Sequence, residues 1–120
     1  MWFLISGLLV GILVGLNMPW TVPAILARYM AVSLLAGFDT ALGGFRASLD
    51  GEFDVTIFGS GFIGNALVSG VFVYVGDVLG IELYLAAIVA LGVRIFNNLG
   101  AIRRHLVSQW TEKSRSKEDK

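Results

Sequence analysis

Four apolar runs, separated by short polar breaks, organise the chain. Residues 2–16 form an uncharged run, short for a bilayer span of about 17–25 residues. Pro19 and Pro23 then break the pattern, with Trp20 between them. Each proline removes an N–H donor and biases the preceding residue away from helix. Residues 24–45 make a second run, closed by a polar connection holding Asp50, Gly51, Glu52 and Asp54. Residues 55–76 make a third, free of charge, followed by an acidic turn from Asp77 to Glu82. Residues 83–107 make a fourth, and a charged tail follows. The pattern predicts an all-α, multi-pass transmembrane bundle of four spans; three spans plus an interfacial first helix is the alternative. Residues 1–107 are then the membrane domain, and 108–120 a cytoplasmic tail expected to fray at its end.

Composition strengthens this reading. Of the 120 residues, 56% are hydrophobic and 15% charged, against about 25% charged in an average soluble domain. Fifteen glycines fall mostly inside the apolar runs. Soluble helices avoid glycine, whereas membrane helices use it for close packing. Gly7, Gly11 and Gly15 recur every fourth residue, a double GxxxG that predicts a packing face on the first helix. Gly61, Asn65 and Ser69 make a small, polar strip on the third run, and Asn65 needs a partner across a helix interface. The N-terminus lacks the basic n-region of a signal peptide, so the first helix is expected to be retained. Arg103 and Arg104 at the end of the fourth run, with Lys113, Arg115, Lys117 and Lys120 of the tail, are expected to place the C-terminus in the cytoplasm.

Charges inside the runs carry most of the remaining information. Arg28, Asp39 and Arg46 fall within about 20° of one another at 100° per residue. A continuous helix would therefore present all three on one stripe, facing protein or a wet cavity, because charge facing lipid is expensive. Gly43-Gly44 is a place where that helix could end or kink before Arg46. Asp39 lies roughly 22 Å into the second run and Arg94 roughly 17 Å into the fourth, which runs in the same direction. An arginine side chain spans that difference. Asp39 and Arg94 are thus expected to form an intramembrane ion pair, with Asn97 or Asn98 nearby.

Several chemistries lack their residues. The chain has no cysteine, which excludes disulfides and thiolate sites. No metal-ligand spacing or phosphate-binding loop is visible. Gly59-Ser60-Gly61 with Gly64 matches a dinucleotide fingerprint in letters only, since it opens an apolar span. His105 sits beside Arg103 and Arg104 and reads as interfacial rather than catalytic. No enzymatic activity and no cofactor are expected. Membrane lipid and other membrane proteins, or further copies of the chain, are the expected partners, and nucleic acid is not.

Phe38-Asp39-Thr40-Ala41-Leu42-Gly43-Gly44-Phe45-Arg46-Ala47, Glu82-Leu83-Tyr84-Leu85-Ala86-Ala87-Ile88 and Gly92-Val93-Arg94-Ile95-Phe96-Asn97-Asn98 carry a further signal. Together these motifs resemble the small basic protein family, short multi-pass membrane proteins of Gram-positive bacteria. The resemblance covers about residues 1–107. It implies a plasma-membrane protein whose gene often neighbours cell-division genes, and it implies no assigned activity. The name fits only the tail, because the formal net charge is zero. The leading expectation is an accessory or scaffold protein of the cell envelope. The alternative is a small transporter or channel subunit using the Asp39–Arg94 site.

Overall fold

The structure, a computed structural model, describes residues 2–118. Its helices are α1 (Trp2–Asn17), α2 (Ala24–Leu49), α3 (Val55–Leu79) and α4 (Tyr84–Glu118). No strand occurs among the described residues. α2, α3 and α4 are each long and apolar enough to cross a membrane, and α1 is a shorter apolar helix. At 1.5 Å per residue α1 reaches about 24 Å, less than the roughly 30 Å of a hydrocarbon core.

The breaks act through identifiable local chemistry. Pro23 precedes α2, where a missing N–H costs nothing, and its carbonyl accepts from Leu26 N at 2.9 Å. Asp54 caps α3 by accepting from Thr56 N at 2.7 Å and Ile57 N at 2.9 Å. Gly80 ends α3 in the left-handed region, φ 68°, and the turn returns directly into α4.

Two contacts fix one end of the bundle. The rings of Phe3 and Phe53 meet edge-on at 5.9 Å, and His105 Nδ1 lies 3.6 Å from Asp50 Oδ1. The start of α1, the 50–54 connection and residue 105 of α4 therefore share an end. Arg28, Asp77 and Tyr84 come together at the other. Consecutive helices run antiparallel.

α2 is the central element. It packs extensively on both α3 and α4, which meet each other less. The buried seams use small and medium side chains: Val32 and Ala36 of α2, Ser69 and Val73 of α3, Ala87 and Leu91 of α4. Their spacing of about four residues keeps each seam on one helical face. The large side chains point outward instead, for example Ile63, Leu67, Val89 and Phe96. Such an inversion suits a bilayer, where apolar surface gains nothing by leaving lipid and association depends on close packing.

The structure bears on three expectations. Gly43-Gly44 does not end the helix, because α2 continues to Leu49. The charged tail continues α4 as helix to Glu118, and the expected fraying at its end lies outside the described residues. Once the span has nucleated the helix, each further turn adds hydrogen bonds at little cost, and Gln109, Glu112, Lys113 and Arg115 are good helix formers. The double GxxxG of α1 is not filled within the chain. A Cβ added at Gly7, Gly11 or Gly15 would meet nothing within 4 Å, and every described side chain of α1 is exposed. α2, already committed to α3 and α4 through its small residues, meets α1 only loosely.

Candidate functional site

Eleven residues separate Asp39 from Asp50, Asn65 from Asp54, and Arg94 from His105. Since Asp50, Asp54 and His105 mark one end of the bundle, Asp39, Asn65 and Arg94 lie at one level, about 16 Å inward. That is close to mid-bilayer.

At this level the three side chains close a triangle. Arg94 Nη2 lies 3.1 Å from Asp39 Oδ2. Asn65 Nδ2 donates to the same oxygen at 3.2 Å, and Arg94 Nη1 donates to Asn65 Oδ1 at 3.4 Å. The amide thus gives through its nitrogen and receives through its oxygen, so one side chain ties the acid of α2 to the base of α4 across α3. Asp39 is fully buried, whereas the Arg94 side chain keeps 56% of its surface exposed. Asp39 Oδ1 has no hydrogen-bond partner among the described residues. The neighbouring hydroxyl does not serve it, because Thr40 Oγ1 donates to Ala36 O at 2.9 Å.

The other charges of the α2 stripe make separate levels. Near the α3–α4 turn, Arg28 Nη1 donates to Asp77 Oδ1 at 2.8 Å, and its guanidinium lies over the Tyr84 ring at 5.3 Å. Near the opposite end, Arg46 Nη1 donates to Asn98 Oδ1 at 3.3 Å, while Arg46 Nε lies 3.8 Å from Asp50 Oδ2. Each of Arg28, Asp39 and Arg46 therefore has a protein partner, although only Asp39 is buried.

Sequence reasoning placed the wrong amide beside the pair. Asn98 belongs to the Arg46 level, because four residues along α4 move it about 6 Å toward that end. Asn97 is exposed, and its side chain has no hydrogen-bond partner among the described residues. Asn65 takes the position instead. Asp77 and Asp50 were also missed as partners. Helix ends could have found Asp77, since Arg28 opens one helix at the end where Asp77 closes its antiparallel neighbour.

Glycine sets how closely the elements approach. A Cβ on Gly44 would stand 2.7 Å from Phe58 Cδ2 and 3.3 Å from a ring carbon of Phe53. The ring of Phe58 thus lies against bare backbone, and α3 comes near enough for Asn65 to reach Asp39. Between α2, α3 and the 52–54 connection lies a cavity of about 230 Å³. Glu52 and Asp54 line it near the loop, Gly43, Gly44 and Gly61 along its walls, and Asp39, Asn65 and Arg94 at mid-span depth. Among the described residues no three His, Asp or Glu side chains cluster closely enough to hold a metal ion.

The comparisons place the chain. Residues 22–107 match the family described as "Protein of unknown function (DUF1290)". The "Small basic protein" of Bacillus subtilis (strain 168) is 40% identical over 119 residues, covering 99% of this chain and 98% of that one. The chain belongs to the small basic protein family. Uncharacterized proteins of Mycobacterium tuberculosis (strain ATCC 25618 / H37Rv) and Mycobacterium bovis are each 43% identical over 104 residues, covering 85% of this chain and 86% of theirs. No solved structure matches. The family match spans α2, α3 and most of α4, and so takes in all three polar levels.

Proposed function

We propose that this small membrane protein is a non-enzymatic scaffold or accessory subunit of the bacterial envelope, working at the plasma membrane with its C-terminus in the cytoplasm. One observation carries the reading. Arg28, Asp39, Arg46 and Arg94 each bind a residue of another helix or its flanking turn, while the outward faces and α1 are left apolar and open. The charges lock three helices into one register, and the remaining surface is available to lipid, to other membrane proteins or to further copies. The cytoplasmic assignment rests on the basic residues that follow the fourth span. A connection with cell division rests on the family resemblance and its gene neighbourhoods alone.

Quantitative pull-down of the tagged protein from native membranes in mild detergent tests this. Envelope membrane proteins should co-purify in stoichiometric amounts, and the Asp39→Asn/Arg94→Gln double variant should retain them. A single energising transporter subunit as the dominant partner, lost in that variant, would replace the scaffold with a transport role.

A further inference from the structure

The mid-span cavity has features that a structural clamp does not require. Its side near the 52–54 connection holds the carboxylates of Glu52 and Asp54, and its inner end holds Asp39 and Arg94. Three acids against one base leave the lining formally negative. Asp39 is fully buried and its Oδ1 has no hydrogen-bond partner among the described residues, so an unmet acceptor lies directly behind the lining. More than half of the Arg94 side chain is exposed about 16 Å below the loop. A guanidinium at that depth is costly against lipid, and such residues characteristically face water-filled cavities. Among its glycines, Gly61 leaves open space, whereas Gly44 is filled by Phe58. At Gly61 an added Cβ would meet nothing within 4 Å.

We propose that this cavity is a hydrated inlet for small cations, running from the 52–54 connection to Asn65 and Arg94, in front of the buried Asp39. Its volume holds several waters, and the polar groups needed to bind them are present at both ends. Negative walls of low dielectric focus the field and raise the local concentration of cations. Among the described residues no set of metal ligands converges, so a cation is attracted and held through water rather than chelated. This inlet is independent of whether the chain serves as a scaffold.

The absence of native cysteine makes the test direct. Single variants Gly61→Cys and Thr40→Cys report on the cavity, and Ile63→Cys reports on an exposed apolar position at a depth between theirs. Each is treated in sealed membrane vesicles with a trimethylammonium-bearing or a sulfonate-bearing methanethiosulfonate, added from the loop side or the opposite side. The cationic reagent from the loop side should modify Gly61→Cys and Thr40→Cys at least about tenfold faster than Ile63→Cys, and about tenfold faster than the anionic reagent does. Glu52→Gln should narrow the second ratio and leave the first. Cavity positions reacting as slowly as Ile63→Cys would overturn the inlet, and equal rates for the two reagents would overturn its preference for cations. Should Gly61→Cys fail to fold, Thr40→Cys alone decides between these results.

Discussion

Two arginine–aspartate pairs cross this bundle at nearly equal distances, and they are not equivalent. Arg28 and Asp77 meet at 2.8 Å near the α3–α4 turn, with 47% and 35% of their side chains exposed. Asp39 and Arg94 meet at 3.1 Å at mid-span, with the acid fully buried. At the end of the bundle, either partner can exchange the other for water. At mid-span the acid cannot. Bond length therefore says little about what a pair contributes, and the medium decides. A solvated pair is worth about 0–1 kcal/mol, whereas breaking a buried pair by deleting one partner costs about 3–5 kcal/mol.

The largest expected effect comes from removing Arg94. Arg94→Leu leaves a buried carboxylate with only Asn65 as donor, and should lower stability in mild detergent by about 3–5 kcal/mol. Asp39→Leu should cost less, because the abandoned guanidinium is already half-exposed and keeps Asn65. The double variant Asp39→Leu/Arg94→Leu should recover a large part of the Arg94→Leu loss, since no uncompensated charge remains. Denaturation of the four proteins under one detergent condition checks the order. Additive losses in the double variant would show that the two side chains act separately.

A second expected effect concerns the approach that makes the mid-span level possible. In Gly44→Ala the new methyl meets Phe58 at 2.7 Å and must displace its ring. Overpacking of this kind costs about 1–3 kcal/mol. Phe58→Leu should relieve part of it, because the obstacle is a side chain rather than backbone. Combining Gly44→Ala with Asn65→Leu sharpens the comparison between the levels. If α2–α3 spacing governs the reach of Asn65, the two losses will be less than additive in the same denaturation assay. Full additivity would place Gly44 outside the polar junction.

The sequence carried the helices more plainly than their rotations. Hydropathy and two prolines mark the four runs, since a bilayer leaves few alternatives to helix. Asp39 and Arg94 could be matched by depth, because rise per residue fixes depth along a straight span. The bridging amide could not be matched fully: depth alone argues against Asn98, but turning Asn65 toward the pair needs the rotation of α3 about its own axis. That rotation is set by packing such as Gly44 against Phe58, which no pattern of polar positions contains. Gly43-Gly44 was open to the same ambiguity, since a glycine pair reads alike as a bend or as a contact surface. Helix in the tail was hidden for another reason. Its stability is inherited from the span before it rather than expressed in its own apolar periodicity.

The smallest expected effect lies at the other arginine–aspartate pair. Asp77→Asn removes one charge from a contact whose members are already partly solvated, and asparagine keeps an oxygen able to accept from Arg28. The guanidinium also retains the face of Tyr84 at 5.3 Å, a contact worth about 0.5–1 kcal/mol at an exposed site. The variant should therefore lose no more than about 1 kcal/mol. What loss there is should shrink as salt rises from 0.05 to about 0.5 M, because screening weakens exposed pairs first. Arg94→Leu should respond less to the same salt, its acid being fully buried. Paired salt titrations of the two variants thus separate the levels by mechanism as well as by size. A salt-independent loss at Asp77 matching that at Arg94 would mean that the Arg28–Asp77 pair is held as far from solvent as Asp39.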